Sequence, residues 1–148
     1  MIQLLSVENI RIVEKVEDWK EAIRLAVAPL IEHGFVEERY VDGIFTNTSI
    51  YGPYYVLAPE IALPHARPDQ GVIHQQIAIL LLREPVKFTP DGYEVRILIT
   101  LAAEDSTSHL QTMVHLAEFL GDDASVGKLL SAGSPEEIYA LFVKYSTQ

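Results

Sequence analysis

The spacing of apolar and polar positions divides the chain into a helical opening, a strand-rich middle and a helical end. Ile10-Arg11-Ile12-Val13 alternates like a short strand, within a lead-in that runs from Leu4 to Val16. Trp19, Ala22, Ile23, Ala26, Val27, Leu30 and Ile31 then recur at i, i+3, i+4, i+7 and predict an amphipathic helix. Asp18 suits its N-cap and Gly34 its stop. Pro29 falls inside the pattern, where it removes one backbone hydrogen bond and should bend the last turn. A second, shorter helix is expected from about Glu37 to Phe45, followed by an aromatic-rich turn, Tyr51-Gly52-Pro53-Tyr54-Tyr55. Tyr55-Val56-Leu57 and Ile61-Ala62-Leu63 are short apolar pieces split by Pro59 and Glu60. Pro64 halts the second, and Ala66 to Gly71 reads as a loop.

Gln76 to Leu82 is almost wholly apolar, as is Val95 to Ala103 apart from Arg96 and Thr100. Such runs predict strands buried on both faces, as in a sheet with helices on each side. Thr89-Pro90-Asp91-Gly92 between them is a turn. The last third reads as helical. Ser108 as N-cap and Gln111 at N3 form a capping-box pattern, which would put His109 at the first helical position. Leu110, Met113, Val114 and Ala117 make the expected apolar stripe of that helix, and Gly121-Asp122-Asp123 closes it. A short helix is expected from about Val126 to Leu130. The last opens with Ser134-Pro135-Glu136-Glu137, a capping box with proline at N1, and should bury Ile138, Leu141, Phe142 and Tyr145. Helices before, among and after central strands predict one α/β domain over residues 1–148. Its expected form is a three-layer α/β/α sandwich with a central mixed sheet flanked by helices.

Composition narrows the chemistry. A chain of 148 residues is long enough to bury a core without disulfides or a structural metal. It contains no cysteine, so a disulfide framework, a thiolate zinc site and a cysteine nucleophile are excluded. Twenty-one acidic against eleven basic residues give a net charge of −10, which disfavours nucleic-acid binding and suits a basic protein partner. Met1 to Glu8 lacks the basic region and apolar stretch of a signal peptide. The longest apolar run, Ile77 to Leu82, is six residues; a membrane span needs about twenty. The expectation is a cytoplasmic protein.

Five histidines are candidates for chemistry. His33 beside Gly34 reads as a helix-end or surface residue, His115 as half-buried packing, and His74 as an uninformative loop residue. His65 follows a short apolar segment and the stiff Pro64, at the kind of strand end where α/β folds place reactive groups. Structural and functional roles for it both stay open on that logic. His109, at an expected helix start, would lie among free amide donors that favour anions, and an exposed residue of no function is the alternative. His109 and His115 are six apart, about 240° around a helix and so on different faces. No His-x-x-x-His pair suggests zinc. A site assembled through space from His65, His109 and a carboxylate would make a metal-dependent hydrolase the rival. No Gly-x-Ser-x-Gly elbow or Gly-x-x-x-x-Gly-Lys loop occurs.

Ile61-Ala62-Leu63-Pro64-His65-Ala66-Arg67-Pro68 resembles the phosphorylation-site motif of enzyme IIA, mannitol/fructose type, of the bacterial phosphoenolpyruvate-dependent sugar phosphotransferase system. Glu8-Asn9-Ile10, Glu21-Ala22-Ile23, Gly34-Phe35-Val36 with Tyr40-Val41, Val95 to Ala103 with His109-Leu110, and Leu129-Leu130 through Ser134-Pro135-Glu136-Glu137-Ile138 resemble other family segments in order. The resemblance implies that His65 accepts a phosphoryl group from the histidine-containing phosphocarrier protein. It would pass the group to a cysteine of a IIB partner, for sugar uptake through a IIC transporter. His109 would stabilise the phosphoryl group, with Arg67, Glu60 and Ser108 as supporting candidates and no cofactor or metal. The mannitol-type pattern has an arginine about sixteen residues before the histidine; here that position is Ser49, and Arg67 could supply the charge instead. Many relatives have glycine where this chain has Glu60, or a carboxylate where it has Pro59. Tyr51-Gly52-Pro53-Tyr54 with Pro64-His65-Ala66-Arg67-Pro68 is closer to the ascorbate-type branch. A regulatory module on the same fold, phosphorylated at His65 but controlling a transporter, kinase or transcription factor, is the alternative function.

Overall fold

The computed structural model describes residues 2–146. Five strands, β1 (Leu5–Val13), β2 (Val56–Ala58), β3 (Glu60–Ala62), β4 (Gln76–Lys87) and β5 (Glu94–Ala102), lie in one sheet of order β1-β4-β5-β3-β2. The sheet is mixed: β1 runs parallel to β4 and β3 parallel to β5, while β4–β5 and β2–β3 are antiparallel. Five helices flank it: α1 (Trp19–Glu32), α2 (Arg39–Tyr51), α3 (Ser106–Leu120), α4 (Asp123–Leu130) and α5 (Pro135–Ser146). No described helix is long and apolar enough to cross a membrane.

The period of two along β4 builds two cores. Ala78, Leu80 and Leu82 face α1 and α2, where they join Ile23, Val27, Leu30, Tyr40 and Ile44. Ile77, Ile79 and Leu81 face the opposite layer, with Leu116 and Phe119 of α3, Leu129 of α4, and Ile138 and Phe142 of α5. This is the expected three-layer arrangement, and it explains why β4 and β5 read as continuous apolar runs. Asp18 caps α1 by accepting from the Glu21 N–H at 2.9 Å, and Gly34 just beyond the helix takes φ 80°. The helix continues through Pro29 to Glu32.

Several boundaries differ from the sequence expectation. The second helix spans Arg39–Tyr51 rather than Glu37 to Phe45, so Tyr51 belongs to the helix and not to the turn. Thr46, Asn47 and Thr48 weaken the local helix signal, but Asn47 is buried and the Thr48 hydroxyl bonds back to the Ile44 carbonyl at 2.7 Å. The fourth helix begins at Asp123, ahead of Val126. The third begins at Ser106, two residues before the expected cap Ser108. Asp105 takes the N-cap position: its carbonyl accepts from the His109 N–H at 3.1 Å. His109 therefore lies at the fourth helical position, not the first, and its amide is already used. The face of α3 also differs. Leu110 and Val114 are exposed, as are Ala117 and His115, while Thr112, Leu116, Phe119 and Leu120 are buried. Of the expected stripe only Met113 packs against the core. Both sets are apolar at helical spacing, and the sheet decides which one it covers.

The loop after β3 is tied down by a buried phenol. Tyr40 of α2 is fully buried, and burial pushes its pKa upward, so the hydroxyl keeps its proton. That hydroxyl donates to the Leu101 carbonyl of β5 at 2.8 Å and accepts from the Ala66 N–H at 3.0 Å. Beside it, the Leu101 N–H donates to the Pro64 carbonyl at 3.1 Å. A Tyr40→Phe substitution preserves the ring and strands a buried N–H and a buried carbonyl. It should destabilise the protein by about 1–3 kcal/mol in urea unfolding, and unchanged stability would show that these bonds are dispensable.

Candidate functional site

β3 and β5 are neighbours and run parallel, so their carboxyl ends emerge at the same edge of the sheet. Ligands of open α/β sheets gather outside such ends. β3 leads through Leu63 and Pro64 to His65, and β5 leads through a short turn to α3 and His109. The two histidines are 44 residues apart in sequence, yet their rings lie 4.9 Å apart between centroids, tilted by 55°. They line a cavity of about 370 Å³, together with Asn47 and Tyr51 of α2, Tyr54, Arg67 and Ser106.

His65 is half-buried and held on several sides. Its Nδ1 lies 2.7 Å from the Leu63 carbonyl oxygen. A carbonyl can only accept, so Nδ1 carries the proton and Nε2 keeps the lone pair. The Tyr54 ring meets the imidazole edge-on at 5.1 Å, and the Tyr54 hydroxyl donates to the His65 carbonyl. Burial pushes the His65 pKa below the usual histidine value, only partly opposed by the bond to Leu63. Burial and the nearby His65 also lower that of His109. Both rings are therefore neutral at pH 7, and a neutral imidazole is the nucleophilic form.

The other sequence candidates separate. Arg67 lines the cavity and is the lone lysine or arginine to do so among the described residues. Its side chain is exposed and its Nε donates to Asp69 at 3.3 Å, a solvent-screened pair that is easily exchanged. Glu60 is not among the residues that line the cavity. Its carboxylate is engaged by the Arg96 guanidinium through Nε and Nη2. Its backbone takes φ 75°, the region that favours glycine, so glycine at this position in relatives has a conformational reason. Ser108 lies inside the first turn of α3 instead of capping it. Ser49 is exposed, with its hydroxyl turned back to the Thr46 carbonyl at 2.8 Å. His33 bonds Asn9 at 2.7 Å between Nδ1 and Oδ1, at the far end of α1, and His74 and His115 are exposed. Among the described residues no group of three or more His, Asp or Glu side chains is arranged to hold a metal ion.

Asn47, Tyr51, Tyr54 and Ser106 line the cavity without having been singled out for it in the sequence, and Gln70 stands behind Asn47. The side-chain amides of Asn47 and Gln70 bond each other reciprocally at 2.9 and 3.2 Å, and the Gln70 Oε1 also accepts from the Arg67 N–H at 2.8 Å. Only the density of aromatics around Gly52 hinted at them.

Known proteins resemble the chain over most of its length. The chain is 33% identical to the mannitol-specific cryptic phosphotransferase enzyme IIA component of Escherichia coli K12, over 88% of each chain. It is 32% identical to the ascorbate-specific PTS system EIIA component of the same organism, over 90% of this chain and 88% of the relative. The solved complex of mannitol enzyme IIA with phosphorylated mannitol enzyme IIB from Escherichia coli superposes with a TM-score of 0.83 at 26% identity, covering 95% of this chain and 97% of that one. Residues 3–145 match the family described as phosphoenolpyruvate-dependent sugar phosphotransferase system, EIIA 2, and the chain belongs to that family.

Proposed function

We propose that this protein is a phosphocarrier, with His65 as the residue that is phosphorylated and Nε2 as its attacking atom. The observation that carries this reading is the pairing of Nδ1 with the Leu63 carbonyl, which leaves Nε2 unprotonated on a ring that lines the cavity beside His109. The phosphoryl donor is the histidine-containing phosphocarrier protein. Its P–N bond breaks as the P–Nε2 bond forms, and Nδ1 keeps its proton throughout. The group then leaves for a cysteine thiolate of a IIB partner, as P–Nε2 breaks and P–S forms. In a relative, mannitol enzyme IIA has been solved in complex with phosphorylated mannitol enzyme IIB, a pairing of the kind this step requires. A IIC transporter would take the sugar through the membrane, and residues 1–148 act as one enzyme IIA domain.

The chemistry of transfer needs position and charge stabilisation more than covalent help. His109 supplies both roles. It is neutral while the site is empty, and a phosphoryl group of about −1.5 to −2 charge raises the pKa of any base beside it. The ring then takes up a proton and faces the phosphoryl oxygens as a cation. Arg67 adds the positive charge that Ser49 lacks, after exchanging Asp69 for the phosphoryl group. Tyr51, which lines the cavity, is 70% exposed, and Ile50 and Leu110, next in sequence to Tyr51 and His109, are each 64% exposed. Apolar side chains around a small polar centre suit burial against another protein.

Three outcomes test this. Incubated with phosphoenolpyruvate, enzyme I and phosphocarrier protein, the protein should gain one acid-labile phosphate, and His65→Gln should gain none; labelling of that variant would refute His65 as the acceptor. His109→Ala should still be labelled but pass phosphate to IIB about 10²-fold more slowly, the scale of a lost charge-stabilising group; full onward transfer would remove His109 from the mechanism. In NMR titrations both rings should have midpoints below the ~6.5 of a free histidine. Because the folded values are depressed, stability from these two sites is complete above the unfolded value and is lost as pH falls from there toward the folded midpoints. A midpoint for either ring above ~6.5 would contradict the burial described above.

A further inference from the structure

The segment that carries His65 is gripped at three consecutive backbone groups, each by a side chain from outside the segment or from its far end. The His65 carbonyl accepts from the Tyr54 hydroxyl, the Ala66 N–H donates to the Tyr40 hydroxyl, and the Arg67 N–H donates to Gln70. Of these, the Tyr54 contact alone reaches His65 twice, once through its hydroxyl and once through its ring. Burial pushes the Tyr54 phenol up, opposed only in part by its polar surroundings, so it remains a donor at neutral pH. Asn47 is paired with Gln70. Asn47 and Tyr54 line the same cavity as His65.

We propose that Tyr54 is a positioning residue for phosphoryl transfer. Its hydroxyl fixes the carbonyl of His65, and its ring edge closes one side of the imidazole while His109 closes another. With the Nδ1 bond to Leu63, these contacts leave the ring one orientation and one tautomer. Asn47, braced by Gln70, lines the cavity beside Tyr54 and supports it from there. This rests on the phosphocarrier reading above and adds the means by which Nε2 is aimed. Ser49, sixteen residues before His65, is exposed, with its hydroxyl on the Thr46 carbonyl, while Asn47 and Tyr54 line the cavity.

The test is Tyr54→Phe, which keeps the ring and removes the hydroxyl, compared with the unaltered protein and with Tyr54→Leu. The first readout needs no phosphate: the 15N shifts of the His65 ring report its tautomer. The unaltered protein should show Nδ1–H alone, Tyr54→Phe a mixture of tautomers, and Tyr54→Leu a larger Nε2–H share. The second is the rate of labelling by phosphorylated phosphocarrier protein. Tyr54→Phe should lower kcat about tenfold with KM changed less than twofold, because misaimed reactants lose rate without losing docking. Asn47→Ala should act in the same direction, and the double variant should be no worse than Tyr54→Phe alone. Wild-type tautomer and wild-type kcat in Tyr54→Phe would overturn the proposal. Equal loss in kcat and stability with an unchanged tautomer would also overturn it, since that is the signature of a structural role. Failure of the unaltered protein to accept phosphate would instead refute the phosphocarrier reading, while the tautomer result would still judge the role of Tyr54.

Discussion

The site exists because β3 and β5 pair in parallel. A parallel pair must bring both carboxyl ends to one edge, and here each strand delivers a histidine there. Had β3 been antiparallel to β5, His65 and His109 would lie at opposite ends of the sheet. The pairing extends past β3 itself, since Leu101 of β5 still bonds the Pro64 carbonyl. The sheet thus carries the chain almost to His65 before releasing it. Only the last few residues depend on side chains for their position, and Tyr40 supplies the first of those bonds from the opposite layer.

Electrostatics of the site are local and run against the charge of the whole. The molecule carries −10, yet the groups that line the cavity are neutral apart from Arg67. Keeping two imidazoles neutral through burial costs little, because a neutral ring loses little hydration and both lowered pKa values favour that form. The same burial would make any anion bound there a strong local perturbation.

Glu60 and Arg96 illustrate a charged pair with a different task. Glu60 sits at the turn between β2 and β3 with a left-handed backbone, which costs about 1–2 kcal/mol for a residue with a Cβ. Its carboxylate is engaged by a guanidinium from the neighbouring strand β5. The pair joins β3 to β5 near the start of both strands, away from the cavity. A carboxylate close in sequence to His65 is therefore part of the scaffold that holds β3 on β5.

Local pattern along the chain was enough to set the layers. The period of 3.6 around Trp19 to Ile31 and the unbroken apolar runs of β4 and β5 are local signals, and each survives because the helix has one apolar face and the two strands are buried on both. The motif around Pro64-His65 was legible for the same reason: strand, proline and histidine are consecutive. Where two local solutions were nearly equal, packing in three dimensions chose between them. On α3 both Leu110-Val114 and Leu116-Phe119-Leu120 are apolar at helical spacing, and packing on the sheet selected the second. At the start of α3, Asp105, Ser106 and Ser108 all suit an N-cap, and the folded chain uses the earliest. The companions of His65 were the least legible. Tyr40, Asn47, Tyr54 and Gln70 reach it through hydrogen bonds spanning 3 to 26 residues of sequence. Periodicity reports which face a residue turns to the core; it carries no record of which distant amide or carbonyl that face will meet.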